Sequence, residues 1–105
     1  MPTQKATRVT IYLNEADEWH GKPAHLEILR FLHHEGCAGG TVLRGLAGFS
    51  QSGGVVTTSL VDLGGRLPLT IEYVDQPDVV ERVLPKLREM AGNRLITLES
   101  LEVYP

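Results

Sequence analysis

The sequence predicts an α+β fold: a ferredoxin-like βαββαβ sandwich, with an antiparallel sheet carrying two helices on one face. Three observations predict it. Residues 8–13 and 67–74 alternate apolar and polar side chains with the period of a strand. Residues 24–35, and the stretch that opens at Pro77, repeat apolar residues at helical spacing instead. A glycine-interrupted β-like segment follows the first helix, and another β-like segment ends the chain. The order is therefore β-α-β-β-α-β, two strand–helix–strand halves, which is the split β-α-β arrangement.

In the first strand Val9, Ile11 and Leu13 share one face. Residues 14–21 are polar and acidic and read as a loop. Pro23 suits the first turn of a helix, where its missing N–H has no partner to lose. Ala24, Ile28, Phe31 and Leu32 share one face of that helix, and Leu29 widens it. Gly36 stands at the helix end, where a positive φ is needed, and Gly39-Gly40 marks a turn. Residues 41–49 begin β-like with Val42 and Leu43, but Gly45 and Gly48 interrupt them. Glycine inside a strand marks a bulge or the close approach of a ligand or another backbone. Ser50-Gln51-Ser52-Gly53-Gly54 is small and polar with no apolar anchor, so residues 50–60 are expected to be mobile. Residues 55–63 read either as loop or as the continuation of a hairpin, with Val55-Val56-Thr57-Thr58 the most β-like part.

Leu69, Ile71 and Tyr73 share a face of the next strand, and Pro68 sits near its start, where a missing donor is tolerated. The second helix has Asp78 in its first turn and an apolar stripe of Val80, Val83, Leu84 and Leu87, extended by Met90 and Ala91. Pro85 conflicts with it, and a kink is expected there. Gly92-Asn93 stops the helix, and Leu95-Ile96-Thr97-Leu98 with Leu101-Glu102-Val103-Tyr104 forms a last strand or strand pair. The second sheet face would carry Thr10, Tyr12, Thr70 and Glu72; it is semi-polar and expected to pack on another copy.

Composition narrows the function. A chain of 105 residues fits one domain, 1–105, and 42% apolar residues suffice for a two-layer core of modest size. Oligomerisation is then a further source of stability. A net charge of -3 argues against a general nucleic-acid binder, which carries a basic face, but leaves room for a local basic pocket. Cys37 is the single cysteine, so no intrachain disulfide forms, as suits a reducing compartment. No apolar leader segment precedes the first strand, and no apolar run approaches the roughly 20 residues of a membrane span. A cytoplasmic protein with no direct membrane insertion is expected.

With these segments placed, the chain resembles the bacterial and archaeal domain-of-unknown-function family 190. The matching pieces are Ile11-Tyr12-Leu13-Asn14-Glu15, Trp19-His20-Gly21-Lys22-Pro23, Thr41-Val42-Leu43-Arg44-Gly45-Leu46-Ala47-Gly48-Phe49, Leu67-Pro68-Leu69-Thr70-Ile71-Glu72 and Leu95-Ile96-Thr97-Leu98-Glu99. They run through nearly the whole chain in the family's order. That family is similar to the PII-like signalling proteins, and the resemblance implies a ferredoxin-like subunit in a homotrimer. In nitrogen-regulatory PII proteins a nucleotide binds between subunits at the base of a long loop after the second strand. The positions resembling that base are Arg44, Gly45 and Gly48. The glycine- and lysine-rich turn before the final strand of PII proteins corresponds to the shorter Gly92-Asn93-Arg94. The loop tyrosine that PII proteins use for signalling has no counterpart between Ser50 and Ser59.

Each candidate residue admits two readings. Arg44-Gly45-Leu46-Ala47-Gly48 either offers backbone N–H groups and a guanidinium to an anion or is a bulged edge strand packed on a neighbouring subunit. Lys22, with His20 beside it, stands just ahead of a helix N-terminus, which favours anions; the other reading is a structural loop in which Trp19 packs and Gly21 turns the chain. His33 and Cys37 are one helical turn apart, close enough to pinch a metal, but no third ligand has a fixed spacing, and solvent-facing histidines with a small buried thiol are the favoured reading, so no metal site is expected. No nucleophile has a spaced partner, and no phosphate loop or hydrolase elbow is present, so no enzyme and no cofactor are expected. Two functions compete. One is a trimeric PII-like signalling protein that binds a small anionic effector, such as an adenine nucleotide, and engages a protein partner through residues 50–60. The other is a divalent-metal-responsive or metal-tolerance protein of the same superfamily.

Overall fold

The structure is a computed structural model, and the residues it describes are 2–51, 53–58 and 66–105. In chain order they form β1 (Gln4–Asn14), a small hairpin of β2 (Glu18–Trp19) and β3 (Lys22–Pro23), then α1 (Ala24–His34) and β4 (Thr41–Arg44). A second small ribbon, β5 (Ala47–Gly48) with β6 (Val56–Thr57), precedes β7 (Pro68–Asp75), α2 (Pro77–Ala91) and β8 (Ile96–Val103). The main sheet has the order β4-β7-β1-β8 and is antiparallel throughout. Two helices and this four-stranded sheet make the α+β ferredoxin-like sandwich that the order of elements predicts.

Hydrophobic alternation sets the register. Val9 pairs with Tyr73, Ile11 with Ile71 and Leu13 with Leu69, and on the other side Ile11 pairs with Ile96. Residues directly opposite share a face, so these side chains form one apolar surface beneath the helices. A slip by one residue would turn Thr10, Tyr12, Thr70 and Glu72 inward, which the burial cost of polar groups forbids. The core is completed by Ile28 and Leu32 of α1 and by Val80, Val83, Leu87, Met90 and Ala91 of α2. The stripe of α2 runs unbroken through Pro85 as one helix.

The helix ends follow local chemistry. Pro23 is the N-cap of α1, one residue earlier than the first helical position, and the Ala24 N–H donates to the Asp17 carbonyl at 2.9 Å. At the other end Gly36 has φ +81, its N–H reaches the His33 carbonyl, and the Cys37 N–H reaches the Leu32 carbonyl. This pair of bonds closes the last turn, and only glycine takes such a φ without strain. Arg82 of α2 donates to both the Glu35 carboxylate (2.8 Å) and the Glu35 carbonyl (3.0 Å), fastening the end of α1 to α2.

One local expectation changes and two are refined. The segment 14–21 is not plain loop, because Glu18–Trp19 within it forms β2 and pairs with β3. The final segment, read as a last strand or a strand pair, is the single strand Ile96–Val103. The segment 41–49 divides after Arg44 and resumes as β5 in a different ribbon. Pro68 explains the division: the Gly45 N–H donates to the Pro68 carbonyl at 2.8 Å, but Pro68 has no N–H to return, so the ladder ends. Of the segment 55–63, Val56–Thr57 continues a hairpin, as one reading has it, while 59–63 lie outside the described residues. The expected mobility of 50–60 likewise falls partly outside them, at Ser52 and at 59–60.

Candidate functional site

Arg44 ends the edge strand β4 and turns to Glu15, at 3.1 and 3.3 Å from its two carboxylate oxygens. Glu15 also accepts the Leu67 N–H at 3.0 Å. That N–H, above all, holds the Glu15 carboxyl below the usual carboxylate range; Arg44 adds to the lowering, and burial works against it. Next to this pair the chain crosses the ring of Pro68. A Cβ at Gly45 would lie 2.8 Å from Pro68 Cγ, and one at Gly48 would lie 2.9 Å from it. A side chain at either glycine would therefore press on the Pro68 ring.

Past Pro68 the β5–β6 ribbon and the adjoining ends of β1 and β7 enclose a cleft of about 370 Å³. Its lining includes the aromatic residues Tyr12 and Phe49, the arginines Arg66 and Arg94, and the glycines Gly48, Gly53 and Gly54. Aromatic faces with two arginines and exposed glycine backbone suit a planar ring joined to an anion. Arg94 is oriented by a bidentate pair with Asp17, Nε to Oδ2 at 2.8 Å and Nη2 to Oδ1 at 2.7 Å. Arg66 carries no ion pair on its guanidinium among the described residues; its backbone carbonyl accepts from the Asn14 side chain at 2.9 Å.

A second cleft of about 280 Å³ lies behind Arg94, lined by Asp17, Trp19 and Gly92 among others. Gly92 ends α2 with φ +63, and Arg88 grips this turn through the Gly92 and Arg94 carbonyls at 2.6 and 2.5 Å. His20 and Lys22 stand apart from both clefts. His20 (φ 52) and Gly21 (φ 77) form a two-residue hairpin turn, both in the left-handed region, as such turns require. The His20 ring stacks on Trp19 at 4.0 Å, and Lys86 Nζ lies 5.3 Å from the Trp19 ring centre.

The predicted set is thus spread over three places. Gly48 and Arg94 share the larger cleft, Gly92 and Arg94 the smaller, Arg44 and Gly45 stand beside Pro68, and His20 and Lys22 are on the hairpin. Tyr12, Phe49 and Arg66 were not singled out from the sequence. A signal existed for Arg66: once Asn14 pairs with Pro68, the residue two before Pro68 must lie at the Asn14 end of the sheet. Among the described residues no group of three or more His, Cys, Asp or Glu is placed to hold a metal ion. Burial, chiefly, pushes the Cys37 thiol up from its ordinary value, so it is a poorer metal ligand than a free cysteine. No helix of the described residues is long and apolar enough to cross a membrane.

The profile of family DUF190, described as Uncharacterized ACR, matches residues 6–103. The chain belongs to the DUF190 family. Among similar proteins, a UPF0166 protein of Methanocaldococcus jannaschii is 38% identical over 101 residues, covering 95% of this chain and 93% of its own. A UPF0166 protein of Aquifex aeolicus is 30% identical over 103 residues, covering 98% and 97%. Among solved structures, CPII from Thiomonas intermedia K12, a nitrogen regulatory PII-like protein bound to ADP, AMP and bicarbonate, superposes with a TM-score of 0.72 at 17% identity, over 97% of this chain and 91% of that one. The apo form of CPII superposes with a TM-score of 0.63 at 17% identity, over 99% and 98%. This DUF190 chain therefore has the PII-like fold.

Proposed function

We propose that this DUF190 protein is a PII-like regulatory protein. In this reading it forms a homotrimer and binds an adenine nucleotide in the cleft of Tyr12, Phe49, Arg66 and Arg94. It acts by binding, not by catalysis. The observation that carries the reading is the cleft itself, where two aromatic side chains, two arginines and glycine backbone converge at the root of the β5–β6 ribbon. CPII, which shares the fold, holds ADP and AMP, and this favours a nucleotide as the ligand class. The base would stack on Phe49 or Tyr12 and the phosphate would meet Arg66. Arg44, Gly45, Lys22, His20 and Gly92 form the wider candidate set, and those outside the cleft are offered to a neighbouring subunit.

Assembly has its own support. The open sheet face carries Thr10, Tyr12, Thr70, Glu72 and Thr97, and Tyr12 and Leu43 remain 42% and 54% exposed. Leu46 and Phe49 are nearly four-fifths exposed on the adjoining ribbon. Apolar surface of this kind is completed by association. Ligand binding at the root of the ribbon would change what residues 50–60 offer a protein partner.

The test is calorimetry with AMP, ADP and ATP on wild type, Arg66→Ala and Arg94→Ala. A charge-assisted contact contributes about 1.5–3 kcal/mol, so losing Arg66 weakens binding roughly ten- to a hundredfold. Nucleotide binding untouched by either substitution moves the site elsewhere; no nucleotide binding ends the ligand reading. Light scattering at micromolar concentration gives a trimer mass, and a monomer would overturn the assembly.

A further inference from the structure

Of the two arginines that line the cleft, Arg94 is already neutralised, and so is Arg44 beside Pro68, both by one turn. Glu15 faces Arg44 and Asp17 faces Arg94, with only Ala16 between the two carboxylates in sequence. The turn is fixed at several points: the Ala16 N–H donates to the Asn14 side chain, the Asn14 N–H to Asp17 Oδ2, and the Leu67 N–H to Glu15. Leu67 lies between the lining residues Arg66 and Pro68, so the Glu15 charge sits at the edge of the cleft. Among the described residues, three guanidinium groups against two carboxylates leave one uncompensated cation, Arg66.

Resting on the nucleotide reading above, we infer that the Glu15-Ala16-Asp17 turn sets the charge of the ligand and makes the cleft selective for a nucleoside monophosphate over a triphosphate. One phosphate meets Arg66. A second or third gains nothing by reaching Arg44 or Arg94, because it must first displace a carboxylate that already satisfies the same donors. If the carboxylates stay in place, they repel the added charge. Glu15 and Asp17 therefore act through the arginines as specificity residues, not as direct ligand contacts.

The experiment measures AMP and ATP affinities in magnesium-free buffer for wild type, Glu15→Gln, Asp17→Asn and Arg66→Ala, with circular dichroism confirming the fold. Glutamine and asparagine keep an oxygen for the N–H donors and remove only the charge. Wild type is expected to bind ATP no more tightly than AMP. Each of the first two variants is expected to shift the ratio toward ATP by roughly 3–10-fold, the effect of one charge at several ångströms in a watery cleft. Arg66→Ala weakens both nucleotides and leaves the ratio unchanged. Wild type favouring ATP tenfold or more overturns the inference while the nucleotide reading stands, as does a ratio unmoved by either charge removal. No binding of either nucleotide overturns both. Should the charge variants fail to fold, the wild-type ratio and Arg66→Ala decide the matter.

Discussion

Replacing Tyr73 by phenylalanine should stabilise the protein, against the general trend of core substitutions. Tyr73 is 2% exposed, packed among Val9, Ile71 and their neighbours, and among the described residues its hydroxyl has no hydrogen-bond partner. A buried hydroxyl left unpaired costs about 1–3 kcal/mol of desolvation. Phenylalanine removes that cost and leaves a gap of one oxygen atom, so the net gain is about 1 kcal/mol. For a chain of this size that raises Tm by about 4–8 °C. The gain also depends on pH. Burial, chiefly, pushes the Tyr73 phenol well above its ordinary value near 10, with Cys37 and Asp75 adding to the effect. A raised folded-state value means the neutral phenol favours the folded chain. Its contribution is whole below about pH 10 and falls as pH rises, because the unfolded phenol ionises first. The advantage of Tyr73→Phe should therefore be constant from pH 7 to about 10 and then grow by up to about 1.4 kcal/mol per pH unit. Urea unfolding of both proteins at one fixed protein concentration measures it. A loss of 1 kcal/mol or more on substitution would show that the hydroxyl is bonded, and a flat difference above pH 10 would show that the phenol is not buried.

Gly45→Ala should cost about 1–3 kcal/mol, because the new Cβ meets Pro68 Cγ at 2.8 Å; most of the loss should return in the double variant with Pro68→Ala, and a double-mutant cycle without that recovery refutes the contact. Glu15→Gln should lower stability more at pH 7 than at pH 3, since a lowered carboxyl contributes in full above its unfolded value near 4.3 and loses that contribution as pH falls through the folded value; equal differences at the two pH values would contradict this. Arg82→Ala should cost only about 0.5–1 kcal/mol despite two hydrogen bonds, because the side chain is half exposed; thermal melts showing a loss above 2 kcal/mol would mean that the α1–α2 junction depends on it more than its geometry allows.

Periodicity alone was enough for the elements that build the core. Val9, Ile11 and Leu13, or Val80, Val83 and Leu87, announce their buried faces because each spacing is a property of one element and is repeated along it. Gly36 announces a helix end for the same local reason, a φ that other residues avoid. Once the faces are known, the antiparallel register has one solution that buries them all. The cleft is different. Asp17 and Arg94 are 77 positions apart, Glu15 and Arg44 29, and nothing in their flanking sequence pairs them. Charged residues at turns carry no periodicity, and their partners are chosen by where the sheet order brings the turns together. The order β4-β7-β1-β8 sets β1 beside β7 and β8, so the turn after β1 meets the approaches to both, where Arg66 and Arg94 lie. Long-range topology therefore decided, among the described residues, which arginines are neutralised and which is left unpaired at the cleft, because ion pairing depends on distance in space and the sequence records only distance along the chain.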